Sequence, residues 1–220
     1  MIYDKVYIIS YVKNIDKQEH IKQTLNNLSI NNFEFIYGID VYLSNLCEIK
    51  IYDNDIDHSF VINDNIPNSY VSHAISCGIA HFTALQHAYY SNLNNCLIIE
   101  DDVLLYKDLN YVNNTLSNAP EDADVIQYGY IIFDKTYKFK RKEELFFKDI
   151  WSAGTQCYGI MNRIALKKII DNYLDTFYES DNMMLYKNLI VYKTSIPIFI
   201  DPHHNGNRKY NVNLIDNYIT

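Results

Sequence analysis

In the first part of the chain, short apolar runs typical of strands alternate with apolar residues at helical spacing. The run from Lys5 to Ser10 is mostly apolar and predicts a short strand, whereas from Asp16 onward the apolar residues recur at helical spacing. A second strand is predicted from Phe33 to Ile36. Between Asn45 and Tyr70 the chain is polar and lacks a clear period, which favours a loop with short strands.

The same alternation continues through the rest of the chain. The apolar positions from Val71 to Tyr90 predict an amphipathic helix of about five turns. Cys96 to Ile99 is a short apolar run without alternation, which suits a central strand covered on both faces. The remaining predicted elements are a helix after Leu109, a strand from Asp124 to Phe133, a strand from Cys157 to Met161, a helix from Ile164 to Tyr173 and a strand from Ile198 to Ile200. This order predicts an α/β fold.

Composition and charge narrow the class of protein. A chain of 220 residues that is 48% hydrophobic has enough material for one buried core, so we expect one domain. The formal charge of -8, without a stripe of Lys and Arg, argues against nucleic-acid binding. No run approaches the ~18 apolar residues of a membrane span, and the N-terminus does not resemble a signal peptide. We therefore expect a cytoplasmic protein with reduced thiols, with Cys96 and Cys157 in the core.

Three adjacent carboxylates, Glu100-Asp101-Asp102, follow directly after the predicted central strand. They repel one another, and a divalent cation would remove that penalty. In an extended chain Glu100 and Asp102 point to the same side, and oxygen ligands favour Mg²⁺ or Mn²⁺ over Zn²⁺. A solvated turn explains an acidic triplet equally well when the triplet is taken alone. Its position favours a ligand site, because open α/β sheets bind ligands at the ends of their strands.

Two segments of the chain resemble glycosyltransferase family 25. Ser76 to His81 is similar to the family's pattern of a Cys, two residues and Ser-His, and Leu97 to Val103 is similar to its apolar strand ending in Glu-Asp-Asp-Val. Further similar positions are Val6 to Ser10, Gly38 to Asp40, Trp151, Gly154-Thr155, Tyr158, Ala165 and Glu179 to Asp181. The family includes bacterial lipooligosaccharide galactosyltransferases and procollagen galactosyltransferases.

The resemblance implies a fold and a reaction. The fold would be a GT-A-like single domain over residues 1–220, with a mixed, mostly parallel central sheet flanked by helices. The donor would bind to about residues 1–105 and the acceptor to about residues 106–220. The reaction would transfer a sugar, with galactose expected, from a UDP-sugar to an acceptor hydroxyl, with Mn²⁺ (or Mg²⁺) as cofactor and inversion at the anomeric carbon. The acceptor would be a glycan, a lipooligosaccharide or a protein.

The resemblance also implies roles for individual residues. Glu100 and Asp102 would be the ribose and metal contacts of a DxD-type motif, and Asp181 would be the base. The other implied contacts are Ser10, Tyr11, Asp40 and Asp101 for the donor, and Glu100, Asp102, His203 and His204 for the metal. In this chemistry the metal offsets the charge that develops on UDP, and a carboxylate takes the proton of the acceptor hydroxyl.

Several of these residues have a simpler structural interpretation. Asp181 would also serve as a helix N-cap before Met183, and His203-His204 would also be solvated in a surface loop. We interpret His81 as a structural histidine. The basic segment 135–142 is interpreted as a solvated hairpin face, with contact to an anionic acceptor or a membrane surface as the alternative.

The chain departs from the family pattern at positions on the acceptor side. Lys13 and Lys17 stand near two family Arg positions, and a Lys cannot make a bidentate contact. His73-Ala74 replaces Gly-Glu, and Ala80 replaces the Ser before His81. Two alternatives therefore stay open, a non-catalytic relative that binds sugar or partners and the same enzyme class with UDP-glucose. A metal-dependent phosphatase or nuclease is disfavoured, because no second acidic cluster of the usual hydrolase kind follows.

Overall fold

The computed structural model describes residues 2–38, 48–53, 56–61, 69–130, 144–175 and 180–201, with the backbone alone described for 48–53, 56–61 and 69–75. In chain order the elements of these residues are β1 (Lys5–Ser10), α1 (Ile15–Asn27), β2 (Phe33–Tyr37), β3 (Glu48–Asp53), β4 (Ile56–Val61), α2 (Ser69–Tyr90), β5 (Cys96–Glu100), β6 (Leu104–Leu105), α3 (Leu109–Ser117), β7 (Val125–Gly129), β8 (Phe146–Asp149), β9 (Cys157–Ile160), α4 (Arg163–Asp175), β10 (Val191–Thr194) and β11 (Phe199–Ile200). A 3₁₀ turn, Met183–Tyr186, lies between α4 and β10.

A seven-stranded sheet organises the chain, in the order β2-β1-β5-β9-β7-β10-β8. The pairs β1–β2, β1–β5 and β7–β10 are parallel. The pairs β5–β9, β7–β9 and β8–β10 are antiparallel. Strands β1, β2, β5, β7 and β10 therefore run in one direction and β8 and β9 in the other, which confirms the expected mixed, mostly parallel sheet.

Helices cover both faces of this sheet and form two hydrophobic clusters. Helices α2 and α4 pack in one cluster with Tyr7, Ile9 and Ile98, and α1 and α3 pack in the other with Val6, Ile8, Leu97 and Ile99. Successive side chains of β1 and β5 thus enter opposite clusters, as the strand periodicity requires. Because both faces are covered, β5 is apolar throughout Cys96–Ile99, in agreement with the central strand predicted from the sequence.

One glycine allows a close contact inside the sheet. A Cβ atom at Gly159 of β9 would lie 1.9 Å from Tyr3 Oη. That hydroxyl is 2.7 Å from the hydroxyl of Tyr128 on β7, so the two buried tyrosines satisfy each other. A side chain at position 159 would displace this pair.

The structure also contains strands that the sequence pattern did not predict. Strands β8 and β10 pair at one edge of the sheet, and the unpredicted β6 pairs outside it with β11, which matches the strand predicted from Ile198 to Ile200. The polar region from Asn45 to Tyr70 includes the antiparallel hairpin of β3 and β4, within the short strands expected there. None of the described helices is long and apolar enough to cross a membrane.

Candidate active site

The site lies at the C-terminal ends of the neighbouring strands β1, β2 and β5. Backbone hydrogen bonds tie these ends to one another: Gly38 N donates to Ser10 O at 2.9 Å, and Asp101 N donates to Ile9 O at 3.0 Å. A Cβ atom at Gly38 would lie 2.7 Å from Ser76 Oγ, so the end of β2 also approaches α2 closely. Open α/β sheets bind ligands at the carboxyl ends of their strands, and in this protein those ends carry the acidic triplet.

Asp101 is the buried member of the triplet. Its Oδ2 accepts hydrogen bonds from Ser10 Oγ at 2.6 Å and from Asn14 Nδ2 at 3.3 Å. Burial raises the pKa of Asp101, and the hydrogen bond from Ser10 opposes that shift, while the charge of Asp102 adds to it. Asp101 and Ser10, both predicted donor contacts, are thus joined to each other and connect the residue after β5 to the end of β1.

Asp102 faces a cation of the protein itself. Lys17 Nζ on α1 lies 3.1 Å from Asp102 Oδ2, and the Asp102 side chain is 24% exposed. Partial burial lowers the pKa of Lys17, but the charges of Asp102, Asp101 and Asp201 outweigh burial and raise it. Asp201, which the sequence analysis did not select, therefore lies within electrostatic range of Lys17. The carboxylates at this end of the strands are therefore partly neutralised by the ammonium of Lys17.

Glu100 points toward a different set of groups. Its Oε1 accepts a hydrogen bond from Thr155 Oγ1 at 2.7 Å and lies 3.3 Å from His81 Nε2. The extended chain ends at Glu100 and turns at Asp101 and Asp102, so the alternation that would place Glu100 and Asp102 on one side does not continue. As a result, each of the three carboxylates has its own polar partners.

His81 is fully buried on α2 and occupied at both ring nitrogens. Its Nδ1 lies 3.0 Å from Tyr158 Oη, and the two rings stack with centroids 5.7 Å apart. Cys77 stands one helical turn earlier, and its Sγ lies 3.8 Å from Ser180 Oγ. Burial raises the pKa of the Cys77 thiol, and the charges of Glu100, Asp181 and Asp102 raise it further. Cys77 thus lies within electrostatic range of these three carboxylates. The sequence analysis did not select Cys77 as a site residue, although its four-residue spacing from His81 was visible.

Asp181 lies in the segment between α4 and the 3₁₀ turn. The N-cap of that turn is Asn182, whose Oδ1 accepts from Met184 N at 2.9 Å, so the N-cap alternative for Asp181 is wrong. The backbone oxygen of Asp181 accepts from Trp151 Nε1 at 3.2 Å. The backbone oxygen of Ser180 accepts from Tyr186 Oη at 3.0 Å. Trp151 and Tyr186 stack at a centroid distance of 3.5 Å and thus fix this segment.

The remaining candidates divide into described and undescribed residues. Tyr11 is half-buried, its backbone oxygen accepts from Gln18 Nε2 at 3.0 Å, and Lys13 Nζ lies 5.8 Å from the centre of its ring. Asp40, His203, His204 and the basic segment 135–142 lie outside the described residues. Their predicted roles stay predictions.

Comparison of the sequence with known families gives a match over most of the chain. The model described as "Glycosyltransferase family 25 (LPS biosynthesis protein)" matches residues 3–184. The chain belongs to glycosyltransferase family 25. It is accordingly a glycosyltransferase, as the resemblance of its motifs implied. The matched residues include the acidic triplet, His81 and Asp181.

Two solved structures are similar to this family 25 protein over most of its length. A glycosyltransferase involved in the glycosylation of the major capsid of PBCV-1 is 10% identical, with a TM-score of 0.46, 97% of this chain covered and 97% of that chain. The protein A197 from STIV is 12% identical, with a TM-score of 0.38, 86% of this chain covered and 80% of that chain. No curated protein matches the sequence significantly.

Proposed function

We propose that this family 25 protein is a metal-dependent, inverting GT-A-type enzyme that transfers galactose from UDP-galactose to an acceptor hydroxyl. The observation that supports the proposal is the position of Glu100, Asp101 and Asp102 at the end of central strand β5, where Asp102 lies 3.1 Å from the ammonium of Lys17, in a chain that belongs to family 25. A donor diphosphate is itself anionic, so a chain of formal charge -8 needs a cation to hold it.

The residues at this edge suit a hard divalent cation. Asp102 and the nearby Asp201 offer oxygen ligands of the kind that Mn²⁺ and Mg²⁺ prefer. The ammonium of Lys17 lies 3.1 Å from Asp102, and a metal ion bound to this carboxylate would share it with Lys17 or displace that ammonium. We propose Asp102 as a metal ligand, with Glu100 and the late histidines His203 and His204 as further candidates. When bound, the metal would neutralise the charge that develops on the leaving UDP.

The proposed roles of the protein's own groups follow from their positions. Asp181, in the segment fixed by Trp151 and Tyr186, would accept the proton of the attacking hydroxyl. Lys17 is near enough to the triplet to contact the diphosphate as a point charge. Ser10, Tyr11 and Asp101 would shape the donor site through the hydrogen bonds that join the ends of β1 and β5. Asp40 would contact the nucleoside.

For the acceptor we propose a hydroxyl of a glycan, in keeping with the family's description as lipopolysaccharide biosynthesis proteins. A lipooligosaccharide or a glycoprotein would present such a hydroxyl. We further propose that the enzyme acts in the cytoplasm, with peripheral contact to a membrane where the acceptor is lipid-linked, and that residues 1–105 bind the donor and 106–220 the acceptor.

The test is UDP release from a panel of UDP-sugars, with and without Mn²⁺ and with and without a glycan acceptor. We expect UDP-galactose to react fastest and only with the metal. Asp181→Asn should lower kcat by roughly 10²- to 10⁴-fold with little change in the donor KM, because it removes the base. Asp102→Asn should weaken the response to Mn²⁺.

The matched control is Asp171→Asn, which changes an exposed carboxylate on α4 that is paired with Lys167. It should retain wild-type kinetics. Equal turnover by Asp181→Asn and the wild type would remove Asp181 from the mechanism. UDP binding without release from any donor would identify a non-catalytic relative, and fastest release from UDP-glucose would correct the donor.

A further inference from the structure

Three side chains of different chemistry meet beside the proposed donor site. The ligand atoms of Cys77, His81 and Glu100 all lie within 4.8 Å of one another. We propose that Cys77 Sγ, His81 Nε2 and Glu100 Oε1 bind one zinc ion, at a position separate from the cation proposed at Asp102, so that Glu100 is a ligand of the zinc and not of that second cation. This inference goes beyond the glycosyltransferase reaction and does not depend on it.

The backbone brings these atoms together through two elements. Cys77 and His81 are four residues apart on α2, so they lie on the same face of the helix one turn apart. Glu100 ends β5, and α2 packs against β5 in the same hydrophobic cluster. A pair of ligands at this spacing on a helix, with a third from a neighbouring element, is a frequent arrangement in zinc proteins.

The distance between the His81 and Glu100 ligand atoms agrees with tetrahedral coordination. In a tetrahedral site with zinc bonds of about 2.0–2.1 Å, a nitrogen and an oxygen ligand are about 3.3 Å apart. His81 Nε2 and Glu100 Oε1 are 3.3 Å apart. The longer zinc–sulfur bond, about 2.3 Å, places the thiolate farther from the other two atoms. The three ligand atoms lie within 4.8 Å of one another, so small rotations of their side chains would bring them to three corners of a tetrahedron around the ion.

Each proposed ligand has a polar partner that orients it. Tyr158 Oη contacts the other ring nitrogen of His81 at 3.0 Å, which directs Nε2 toward Glu100. Thr155 Oγ1 donates to Glu100 Oε1 at 2.7 Å, and Ser180 Oγ lies 3.8 Å from Cys77 Sγ. Second contacts of this kind, to the far side of a histidine and to a carboxylate, are typical of metal sites.

The chemistry of the three ligands selects the metal. Sulfur and imidazole ligands favour Zn²⁺, whereas Mn²⁺ and Mg²⁺ favour sites made of oxygen alone. The surrounding charges of Asp102 and Asp181, which disfavour a bare thiolate at Cys77, favour a dication beside it. Three protein ligands leave the fourth zinc position for water or another molecule.

The alternative is a His81–Glu100 hydrogen bond beside an unrelated thiol, and cobalt distinguishes the two. Co²⁺ occupies zinc sites and gives a thiolate-to-cobalt charge-transfer absorption only when a cysteine is a ligand. We expect metal-free wild-type protein to bind one equivalent of Co²⁺ with this absorption, and Zn²⁺ to abolish it by displacement. The absence of the absorption at saturating Co²⁺ would overturn the proposal.

Variants assign the site. Cys77→Ser should lose the absorption, while Cys96→Ala, which removes a buried thiol of β5, should keep it. Glu100→Gln should weaken Co²⁺ affinity at least tenfold and serves as the second test if Cys77→Ser does not fold. Wild-type absorption in Cys77→Ser, or unchanged affinity in Glu100→Gln, would overturn the proposal. Asp102→Asn should keep the absorption whether or not the enzyme reaction is as proposed.

Discussion

Asp101 shows how a single buried carboxylate affects stability. Its side chain is buried at the end of β5, and burial raises its pKa above the ordinary value of 3.8. The native protein therefore holds this proton more tightly than the unfolded chain does. The stability that the protonated form contributes is fully present below the ordinary pKa and is lost as the pH rises through the raised pKa.

We expect Asp101→Asn to lose this part of the pH dependence, because an amide does not ionise. Its oxygen can still accept from Ser10 Oγ, so we predict a stability at neutral pH at least equal to that of the wild type, with a gain on the order of 1 kcal/mol. Urea unfolding from acid to neutral pH measures the effect. Asp171→Asn, at an exposed position of α4, should keep the wild-type pH profile. Parallel profiles for Asp101→Asn and the wild type would contradict the argument.

The acidic triplet shows how far sequence reasoning reaches at the residue scale. Its location at the end of a central strand followed from the apolar run Cys96–Ile99. The partners of the three carboxylates did not follow, because Ser10, Lys17 and Thr155 belong to segments distant in sequence. The turn at Asp101 and Asp102 then sends the three side chains to different partners, which a strand pattern alone does not reveal.

At the level of elements, the segment after α4 depends on its aromatic supports. The ring of Trp151 stacks on Tyr186, and Trp151 Nε1 donates to the backbone oxygen of Asp181. Trp151→Phe keeps an aromatic ring but removes the donor. Because Asp181 is the proposed base, we expect kcat to fall about tenfold, with little change in the donor KM.

Steady-state kinetics with UDP-galactose measures this effect. Loss of the hydrogen bond should also lower the free energy of unfolding by about 1 kcal/mol, which urea unfolding measures separately. Tyr192→Phe is the matched control. It removes the hydrogen bond that the Tyr192 hydroxyl donates to Asp122, which is exposed, and it should leave kcat unchanged. A wild-type kcat in Trp151→Phe would show that this hydrogen bond does not position Asp181.

Elements with a strong hydrophobic period were predictable, and those with internal polar partners were not. Helices α1 and α2 and strands β1 and β5 follow from their apolar positions. Strand β10 was missed because its Lys193 looks like a surface residue. In the structure Lys193 is buried, with Nζ 2.8 Å from Asp149 of β8, so the two unpredicted strands compensate each other's charges. Such cross-strand pairing is visible only once the strands are adjacent.

The whole molecule combines a net charge of -8 with a proposed function that requires an anionic donor. The carboxylates at the edge of the sheet increase the repulsion locally, and Lys17 offsets only part of it. Binding of UDP should therefore be linked to binding of the divalent cation, since each relieves the electrostatic cost of the other. Such linkage should be measurable as a change in the stability of the folded protein.

Thermal unfolding with UDP and Mn²⁺, added singly and together, measures this linkage. At UDP concentrations near 100 times its dissociation constant, with saturating Mn²⁺, we expect a stabilisation of about 2.7 kcal/mol. For a domain of this size that corresponds to a rise in Tm of roughly 5–10 °C. UDP alone should give much less, and Asp102→Asn should lose the dependence on Mn²⁺. Uridine, which has no diphosphate, should act independently of the metal. An equal rise in Tm with UDP in the presence of a chelator would mean that the diphosphate is held by protein cations such as Lys17, and that no metal mediates donor binding.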